Sequence, residues 1–463
     1  MKHIHFIGIG GTGLSAIARI LLQQGYTVSG SDSVASNYFI EITRDGAKTM
    51  LGHDPDNILG ADLVIRSSAI KDDNPEVKAA ITQGIPVMKR SEFLPILLKD
   101  MDTIAIAGSH GKTTTTAMTI YVLNELGADP SFIAGANVKQ FGTNARAGGS
   151  NLFVIEADEY DYMFLGLDPL ISVITNIEHD HPDCFPTPEV YLDAFVQFLS
   201  RLRPNGTAFI CTDDPGNVDL LKHENMKNLN IKTYAIGKSA DYQAINLLHN
   251  PKGCMSFDVV FHHPQKGMVM LGNCSLSIPG RHNVQNALAA LAVADSLGLQ
   301  MIDALKSMSH FEGAERRFDI LGSARGVTII NDYAHHPTQI ASTLEATHAR
   351  FPGSRIWVVW EPHTYSRTST LEKEFISVLS DADQVIITKI YAAREANTGY
   401  LPLGIIDSLT SKKACYIPNF SQVVDYLVKF LQKDDVVLVL SAGNAPAISQ
   451  ELLENLKLKE QVS

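Results

Sequence analysis

A stretch near residue 110 constrains the fold of this chain more than any other feature. An apolar, β-branched run at residues 102–107 is followed by a turn with Gly108 and Gly111, then by Lys112 and a row of threonines. This order predicts a strand, a phosphate-binding turn and a helix, because glycines let backbone N–H groups approach an anion and the helix N-terminus adds positive charge. We expect Lys112 to reach the outer phosphates of a nucleoside triphosphate and Thr113 to bind Mg²⁺.

The turn departs from the strict pattern G-x-x-x-x-G-K-[ST], which has glycine where this chain has Ile106. An ordinary strand–turn–helix connection is the alternative, but such a turn rarely carries Gly-Lys-Thr-Thr by chance. The sequence therefore predicts an ATP-binding turn made of Gly108, Ser109, His110, Gly111, Lys112, Thr113 and Thr114.

Length and composition set outer limits on the class of protein. With 463 residues, of which 45% are hydrophobic, the chain can bury more than one core and suggests about three domains. A net charge of −12 without a basic run argues against a nucleic-acid partner. The sequence has no apolar run of about 18 residues and no signal peptide, so we expect a cytoplasmic protein without a membrane partner. Its five cysteines show no C-x-x-C spacing, which predicts neither a zinc site nor a disulfide framework.

The first segment reads as a βαβ unit with a glycine-rich turn. Residues 8–13 have the spacing G-x-G-x-x-G, and Asp32 follows at about the 20 residues expected for a ribose contact. This pattern fits NAD, but the turn recognises a diphosphate whatever is attached to it, so a UDP-sugar fits equally. Ser67 and Ser68 end a second strand, where they are either ligand contacts or simple caps.

Two acidic segments each terminate an apolar strand of the central region. Residues 156–161 follow the run 152–155, and residues 175–181 follow the run 171–174. Carboxylates at strand ends beside a phosphate-binding turn are placed to hold Mg²⁺. A polar segment at residues 134–138, with residues 144–146, is expected to border the substrate.

The remaining chain predicts the fold class. Residues 242–278 alternate like antiparallel hairpins, and Asn283 begins an alanine-rich helix either as a cap or as a ligand contact. A third α/β series follows, with polar strand ends at residues 331–337, 361–367 and 441–444. We predict an α/β protein with three domains at residues 1–100, 101–320 and 321–463. The first and third are Rossmann-like, and the central P-loop domain has a parallel sheet plus a small antiparallel sheet.

Seven segments of the chain, taken together and in order, resemble the Mur ligases of peptidoglycan synthesis. They are residues 8–13, 108–114, 156–159, 175–181, 280–286, 316–319 and 332–337. The resemblance covers nearly the whole chain. It implies a UDP-sugar-binding domain, an ATPase domain and a C-terminal domain that receives an amino acid. A UDP-sugar thus replaces NAD as the expected ligand of the first glycine turn.

The resemblance also implies roles for individual residues. The expected sugar-nucleotide contacts are Gly10, Gly11, Thr12, Gly13, Ser31, Asp32, Ser67, Ser68, Asn137 and Arg146. ATP would further contact Asn283, Asn286, Arg317 and Asp332, and Mg²⁺ would be held by Thr113, Glu156 and His181. The amino acid would meet His336, His363 and Arg367, with Arg367 facing its α-carboxylate. The expected catalytic residues are Lys112, Arg317, His335 and His336.

The implied reaction is the ATP-dependent joining of L-alanine to the lactyl carboxylate of UDP-N-acetylmuramate through an acyl phosphate. Residues 189–202 contain no lysine, as in the alanine-adding members, whereas several members that add later residues carry a carbamylated lysine there. Thr364 stands where some alanine-adding members have arginine. The alternatives are a recycling ligase that accepts a tripeptide, an NAD-dependent oxidoreductase and a non-catalytic nucleotide-binding regulator. We expect a monomer or a weak homodimer.

Overall fold

Alternating apolar strands and amphipathic helices build three sheets in the computed structural model, which describes residues 2–393, 395–409 and 414–462. The chain forms two compact units. The first unit comprises the residues up to Asn246 with Phe257–Cys274 and Gln285–Phe311, and the second comprises Leu247–Ser256, Ser275–Val284 and the chain from Glu312 onward. The division into three domains at residues 100 and 320 stays a prediction.

The first sheet is parallel, with the strand order β3-β2-β1-β4-β5. Its strands are β1 (His3–Ile7), β2 (Thr27–Asp32), β3 (Lys48–Leu51), β4 (Leu63–Arg66) and β5 (Val87–Lys89). Its helices are α1 (Thr12–Gln23), α2 (Asn37–Arg44), α3 (Pro75–Thr82) and α4 (Arg90–Leu97), with a 3₁₀ turn at Pro55–Ile58. The central strand β1 is almost entirely buried, as expected for a parallel strand covered by helices on both faces.

The second sheet has ten strands in the order β15-β14-β13-β12-β11-β10-β6-β9-β7-β8. The strands are β6 (Asp102–Ala107), β7 (Ser131–Val138), β8 (Thr143–Arg146), β9 (Leu152–Glu156), β10 (Ile171–Ile174), β11 (Thr207–Cys211), β12 (Ile231–Ile236), β13 (Tyr242–His249), β14 (Met255–His263) and β15 (Gly267–Ser275). The helices are α5 (Lys112–Glu125), α6 (Pro188–Leu199), α7 (Pro215–Leu221), α8 (His282–Ser296) and α9 (Met301–Ser307), with 3₁₀ turns at Tyr160–Gly166, Glu224–Asn228 and Met308–His310. Because β6 lies between β9 and β10, the ends of these three strands are neighbours.

The third sheet has the order β16-β17-β21-β18-β19-β20, in which only the β16–β17 pair is antiparallel. Its strands are β16 (Asp319–Ala324), β17 (Val327–Asp332), β18 (Ile356–Trp360), β19 (Gln384–Ile387), β20 (Cys415–Tyr416) and β21 (Val436–Leu440). Its helices are α10 (Pro337–Arg350), α11 (Tyr365–Thr370), α12 (Glu372–Leu379), α13 (Leu403–Ser408), α14 (Phe420–Phe430) and α15 (Pro446–Val462).

These sheets confirm the predicted α/β class with parallel cores and an antiparallel addition. The hairpin strands β13–β15 continue the central sheet at one end. Among the helices that the structure describes, none is both long and apolar enough to cross a membrane. The five cysteines carry free thiols, of which Cys211, Cys254 and Cys274 are buried.

Candidate functional site

The predicted phosphate-binding turn lies at the carboxyl end of β6. Gly108 and Gly111 have φ angles of +133° and +80°, in the region that favours glycine. A Cβ on Gly108 would lie 2.1 Å from Thr175 Oγ1, so a larger residue does not fit there. α5 begins at Lys112, so the turn leads directly into a helix N-terminus, where backbone N–H groups and the helix dipole favour an anion.

Residues 175–181, which follow β10, form hydrogen bonds with this turn. The His110 N–H donates to Asn176 Oδ1 (2.8 Å), and the Thr175 hydroxyl donates to the His110 carbonyl (2.6 Å). The Ser109 hydroxyl donates to the Glu178 carbonyl (2.7 Å). The second acidic segment therefore fixes the backbone of the turn through the side chains of Thr175 and Asn176 and the carbonyl of Glu178.

Lys112 is buried against the first acidic segment. Its ammonium donates to the Gly108 carbonyl (2.5 Å) and to Glu159 Oε1 (2.9 Å). Burial opposes its charge, but the carboxylates of Glu159, Asp158 and Glu156 outweigh burial and raise the pKa of Lys112. The side chain thus supplies a permanent positive charge at the turn.

Glu159 is 1% exposed, and burial raises its pKa to about 7 despite the pull of Lys112. Its Oε2 is a buried oxygen without a hydrogen-bond partner among the described residues. The sequence pattern places Glu159 in the first acidic segment but predicts no role for it. The structure shows that the Glu159 carboxylate is the direct ion-pair partner of Lys112.

The three predicted magnesium ligands lie at this edge of the sheet. The Thr113 hydroxyl donates to Glu156 Oε1 (2.9 Å), and the Gly135 N–H donates to Glu156 Oε2 (2.6 Å). His181 has a φ of +55°, and its Nε2 lies 3.8 Å from Glu159 Oε1. Hydroxyl, carboxylate and imidazole groups can together coordinate a divalent cation. Glu159 Oε2, which has no hydrogen-bond partner among the described residues, lies beside them.

Asn286 also reaches the turn, whereas Asn283 serves the start of α8. A Cβ on Gly111 would lie 2.9 Å from Asn286 Oδ1, which accepts a hydrogen bond from the Thr115 hydroxyl (3.0 Å). Asn283, in the second unit, donates from Nδ2 to the Pro279 carbonyl (2.6 Å). This contact ties Asn283, inside α8, to the segment before the helix but is not a helix cap, because a capping side chain accepts from a backbone N–H. The ATP contact of Asn283 stays a prediction.

The first glycine turn, residues 8–13, connects β1 to α1 at the carboxyl edge of the first sheet. The Gly8 N–H donates to the Ser31 carbonyl (2.8 Å), and the Gly10 N–H donates to Asp32 Oδ2 (2.9 Å). Asp32 therefore shapes the turn itself. Gly11 precedes α1 and Thr12 begins it, as expected for a diphosphate-binding helix N-terminus.

Ser67 and Ser68 follow β4 at the same edge. A Cβ on Gly8 would lie 3.1 Å from the Ser67 Cβ, so Ser67 contacts the glycine turn, and Ser68 is exposed. The Ser67 hydroxyl also accepts from the Ala69 N–H (3.3 Å), which is the capping contact left open by the sequence.

Two other predicted sugar-nucleotide residues use their side chains elsewhere. The Ser31 hydroxyl donates to the buried carboxylate of Glu76 (2.5 Å). The Arg146 guanidinium donates to Asp129 Oδ1 (2.7 Å), and Arg146 pairs with Phe132 near the start of β7. The structure therefore does not bring Arg146 to the carboxyl edge of the sheet, where Asn137 lies near the end of β7.

The second unit carries a cluster of rings at the ends of β17, β18 and β19. The His335 ring lies 5.3 Å from that of His363 and 5.4 Å from that of Tyr333, and His363 lies 5.8 Å from the ring of Tyr391. Arg367 Nη1 lies 2.9 Å from His363 Nδ1. Since a guanidinium only donates, His363 Nδ1 accepts this bond. The cluster places a guanidinium and two imidazoles together, and its contact with an amino acid stays a prediction.

Two backbone features border this ring cluster. Thr364, which precedes α11, has a φ of +62°, a strained conformation for a β-branched residue. His336 precedes α10, and its backbone N–H donates to Gln339 Oε1 (3.3 Å). Strain of this kind persists where the surrounding structure fixes it, and it is common at ligand sites.

Asp332 and Arg317 form the last predicted group. Asp332 accepts from the N–H groups of Phe318 (2.8 Å) and Ala334 (2.7 Å), and burial raises its pKa against the pull of Arg317. The Arg317 guanidinium lies 4.7 Å from the centre of the Tyr333 ring. Asp332 thus organises the turn that carries Arg317, and its contact with an ATP ribose stays a prediction.

Comparisons with known proteins agree along the whole chain. Residues 3–101 match the catalytic domain of the Mur ligase family, residues 106–294 match the Mur ligase middle domain, and residues 316–443 match the Mur ligase glutamate ligase domain. The chain belongs to the Mur ligase family. The family predicted from seven sequence segments is thereby confirmed.

Individual Mur ligases match over their full length. The chain is 40% identical to a UDP-N-acetylmuramate–L-alanine ligase of Caldanaerobacter subterraneus over 98% of each chain. It is also 40% identical to one of Syntrophus aciditrophicus, over 99% of this chain and 94% of that protein. The crystal structure of a UDP-N-acetylmuramate–alanine ligase from Thermotoga maritima superposes with a TM-score of 0.84 at 27% identity, covering 99% of this chain and 100% of that one. The fold is also shared with a murein peptide ligase of Psychrobacter arcticus (TM-score 0.71, 24% identity, 99% of both chains).

Proposed function

We propose that this Mur ligase joins L-alanine to the lactyl carboxylate of UDP-N-acetylmuramate at the expense of ATP. The observation that carries the proposal is the pairing of Lys112 with Glu159 and of Thr113 with Glu156, at 2.9 Å each, at the carboxyl end of β9. That arrangement suits the transfer of a phosphoryl group, and an NAD-dependent oxidoreductase would leave it without a purpose. The named relatives support alanine as the acceptor.

The first step activates the acid. An oxygen of the lactyl carboxylate attacks the γ-phosphorus of ATP, the bond to the β-phosphate oxygen breaks, and an acyl phosphate and ADP result. Lys112 would balance the charge that spreads over the transferring group, with Arg317 as the second predicted cation. Thr113, Glu156 and His181 would hold Mg²⁺, which supplies Lewis-acid stabilisation of the phosphate oxygens when bound.

The second step forms the amide. The uncharged amine of alanine attacks the acyl carbon, a proton leaves the nitrogen, and the tetrahedral intermediate expels phosphate. His335 and His336 are the candidate bases for that proton. Arg367 would bind the α-carboxylate in two parallel hydrogen bonds, because a guanidinium matches a carboxylate in shape.

A direct experiment is to measure ADP release by the full chain with Mg²⁺, ATP and UDP-N-acetylmuramate, comparing L-alanine, glycine, L-serine and the tripeptide of the recycling ligase. Alanine should give the highest kcat/KM. A higher value for the tripeptide would make the chain a recycling ligase, and ATP left intact with every acceptor would contradict ligase chemistry. The cytoplasm is the expected location, and a monomer or weak homodimer stays a prediction.

A further inference from the structure

Arg90, which no sequence motif singled out, lies where two segments of the first unit meet. It begins α4 immediately after β5. Because β5 pairs in parallel with β4, and β4 with β1, the carboxyl end of β5 lies at the same edge of the first sheet as residues 8–13. Ligands of open parallel sheets bind in the crevice along this edge.

The guanidinium of Arg90 lies directly on the first glycine turn. A Cβ on Gly13 would lie 1.7 Å from Arg90 Nη1 and 2.9 Å from its Cζ. Any side chain at position 13 would therefore displace the guanidinium. The absence of a side chain on Gly13 thus leaves room for a cation beside the backbone N–H groups of the turn.

The attraction of Asp158 and Glu156 does not offset the burial of the Arg90 guanidinium. Among the described residues, Asp158 is the carboxylate paired with Arg90, at 3.4 Å, and its side chain is 44% exposed. The Arg90 side chain is 26% exposed, and burial lowers its pKa. A mostly buried guanidinium with one long ion pair retains donors for an anionic ligand, since it has five N–H groups.

We propose that Arg90 binds the diphosphate of the sugar nucleotide held by residues 8–13, an assignment that rests on the proposed function. A guanidinium presents two parallel donors to phosphate oxygens, and its place on Gly13 puts them beside the helix N-terminus that favours the same anion. The lactyl carboxylate is the other anion of the substrate. The diphosphate is favoured because Arg90 contacts the glycine turn itself.

Titration calorimetry on the full chain tests the assignment with four ligands: uridine, UDP, UDP-N-acetylmuramate and ATP. Arg90→Gln should weaken UDP and UDP-N-acetylmuramate about 10- to 100-fold, leaving uridine and ATP unchanged. Arg44→Gln, on the exposed end of α2, is the matched control and should bind all ligands as the parent does. Arg90→Lys keeps the positive charge but lacks the two parallel N–H donors of a guanidinium. Its affinity for UDP should fall several-fold less than that of Arg90→Gln.

Each other outcome overturns the assignment. Unchanged UDP affinity would remove Arg90 from the diphosphate site, and a loss confined to UDP-N-acetylmuramate would place it at the lactyl carboxylate. An equal loss of ATP affinity in Arg90→Gln would mean that Arg90 supports the structure and does not bind the diphosphate. If Arg90→Gln does not fold, Arg90→Lys decides, because full UDP affinity in that folded variant contradicts bidentate binding. A parent chain that binds no uridine nucleotide would instead contradict the proposed function.

Discussion

The ammonium of Lys112 and the carboxylate of Glu159 lie 2.9 Å apart in a buried pair that joins the phosphate-binding turn to the strand end after β9. Removing one partner of a buried ion pair usually destabilises a protein, because it leaves an uncompensated charge. Glu159 is different, since its pKa is already raised to about 7 by burial. Without Lys112 it would take up a proton near neutral pH and remain buried as a neutral acid.

We therefore expect Lys112→Ala to abolish ADP release, by at least about 10³-fold, and to leave the fold intact. Turnover and thermal unfolding should be measured together. Lys222→Ala, which removes an exposed lysine paired with Asp219, should keep parental activity. Phosphate release at the parental rate by folded Lys112→Ala would contradict the role of Lys112.

Glu156→Gln should raise the magnesium concentration required for half-maximal ADP release by about tenfold or more. The carboxylate is a hard oxygen ligand and an amide binds the ion more weakly. A magnesium titration of the initial rate at saturating ATP measures this. Glu125→Gln, at the exposed end of α5, controls for loss of one negative charge. An unchanged magnesium requirement would remove Glu156 from the ligand set.

Arg367→Gln should raise the KM for L-alanine about 10- to 100-fold with little change in the KM for ATP. The guanidinium lies in the ring cluster at 2.9 Å from His363 Nδ1, and a carboxylate lacking its charged partner binds more weakly. Steady-state rates with L-alanine and ATP varied separately measure the two KM values. Equal increases in both KM values would argue against an acceptor-specific role.

Much of this fold follows from local sequence pattern, because strands and helices are encoded by nearby residues. The run before Gly108 and the glycine turn lie where the sequence predicts them, and the helix predicted from Thr114 onward begins two residues earlier, at Lys112. The strand ends that carry acidic residues were also predictable, because parallel strands present their carboxyl ends to one edge.

Side-chain partners over long separations were not predictable. Within residues 156–161, Glu159 pairs with Lys112 and Asp158 pairs with Arg90, and the sequence does not show which carboxylate takes which partner. Arg146 looked like a substrate residue because its segment is polar. Because β8 runs antiparallel to β7, however, Arg146 pairs with Phe132 near the amino end of β7. Glu156 lies beyond the Ile133–Ile155 pair, toward the carboxyl end of β7. Register, which a single sequence does not show, decides such positions.

Arg19→Ala should lower the free energy of unfolding by about 2–4 kcal/mol and weaken sugar-nucleotide binding. Arg19, on α1, donates to Asp45 (2.6 Å), Thr143 (2.8 Å) and Asn144 (2.9 Å). It therefore joins the helix after the first glycine turn to β8 of the central sheet. Urea unfolding followed by circular dichroism measures the loss, with the exposed Arg44→Ala as control. A stability equal to that of the control would contradict this role.

His282 should make the second unit less stable in mild acid. Burial lowers the pKa of His282 to about 4, against about 6.5 in an unfolded chain. Between these values the unfolded state binds a proton that the folded state does not, so the free energy of unfolding falls as pH falls from about 6.5 to about 4. The full loss is at most roughly 3 kcal/mol.

The two tryptophans of the chain, Trp357 and Trp360, lie buried in β18 and report on the unit that contains His282. Urea unfolding followed by their fluorescence should therefore show parental stability declining from pH 7 to pH 4.5. The decline should be shallower in His282→Gln, which cannot titrate. His249→Gln, at an exposed position in the same unit, should retain the parental slope. Identical slopes for His282→Gln and the parent would mean that other groups cause the acid sensitivity, because a neutral glutamine removes this proton from both states.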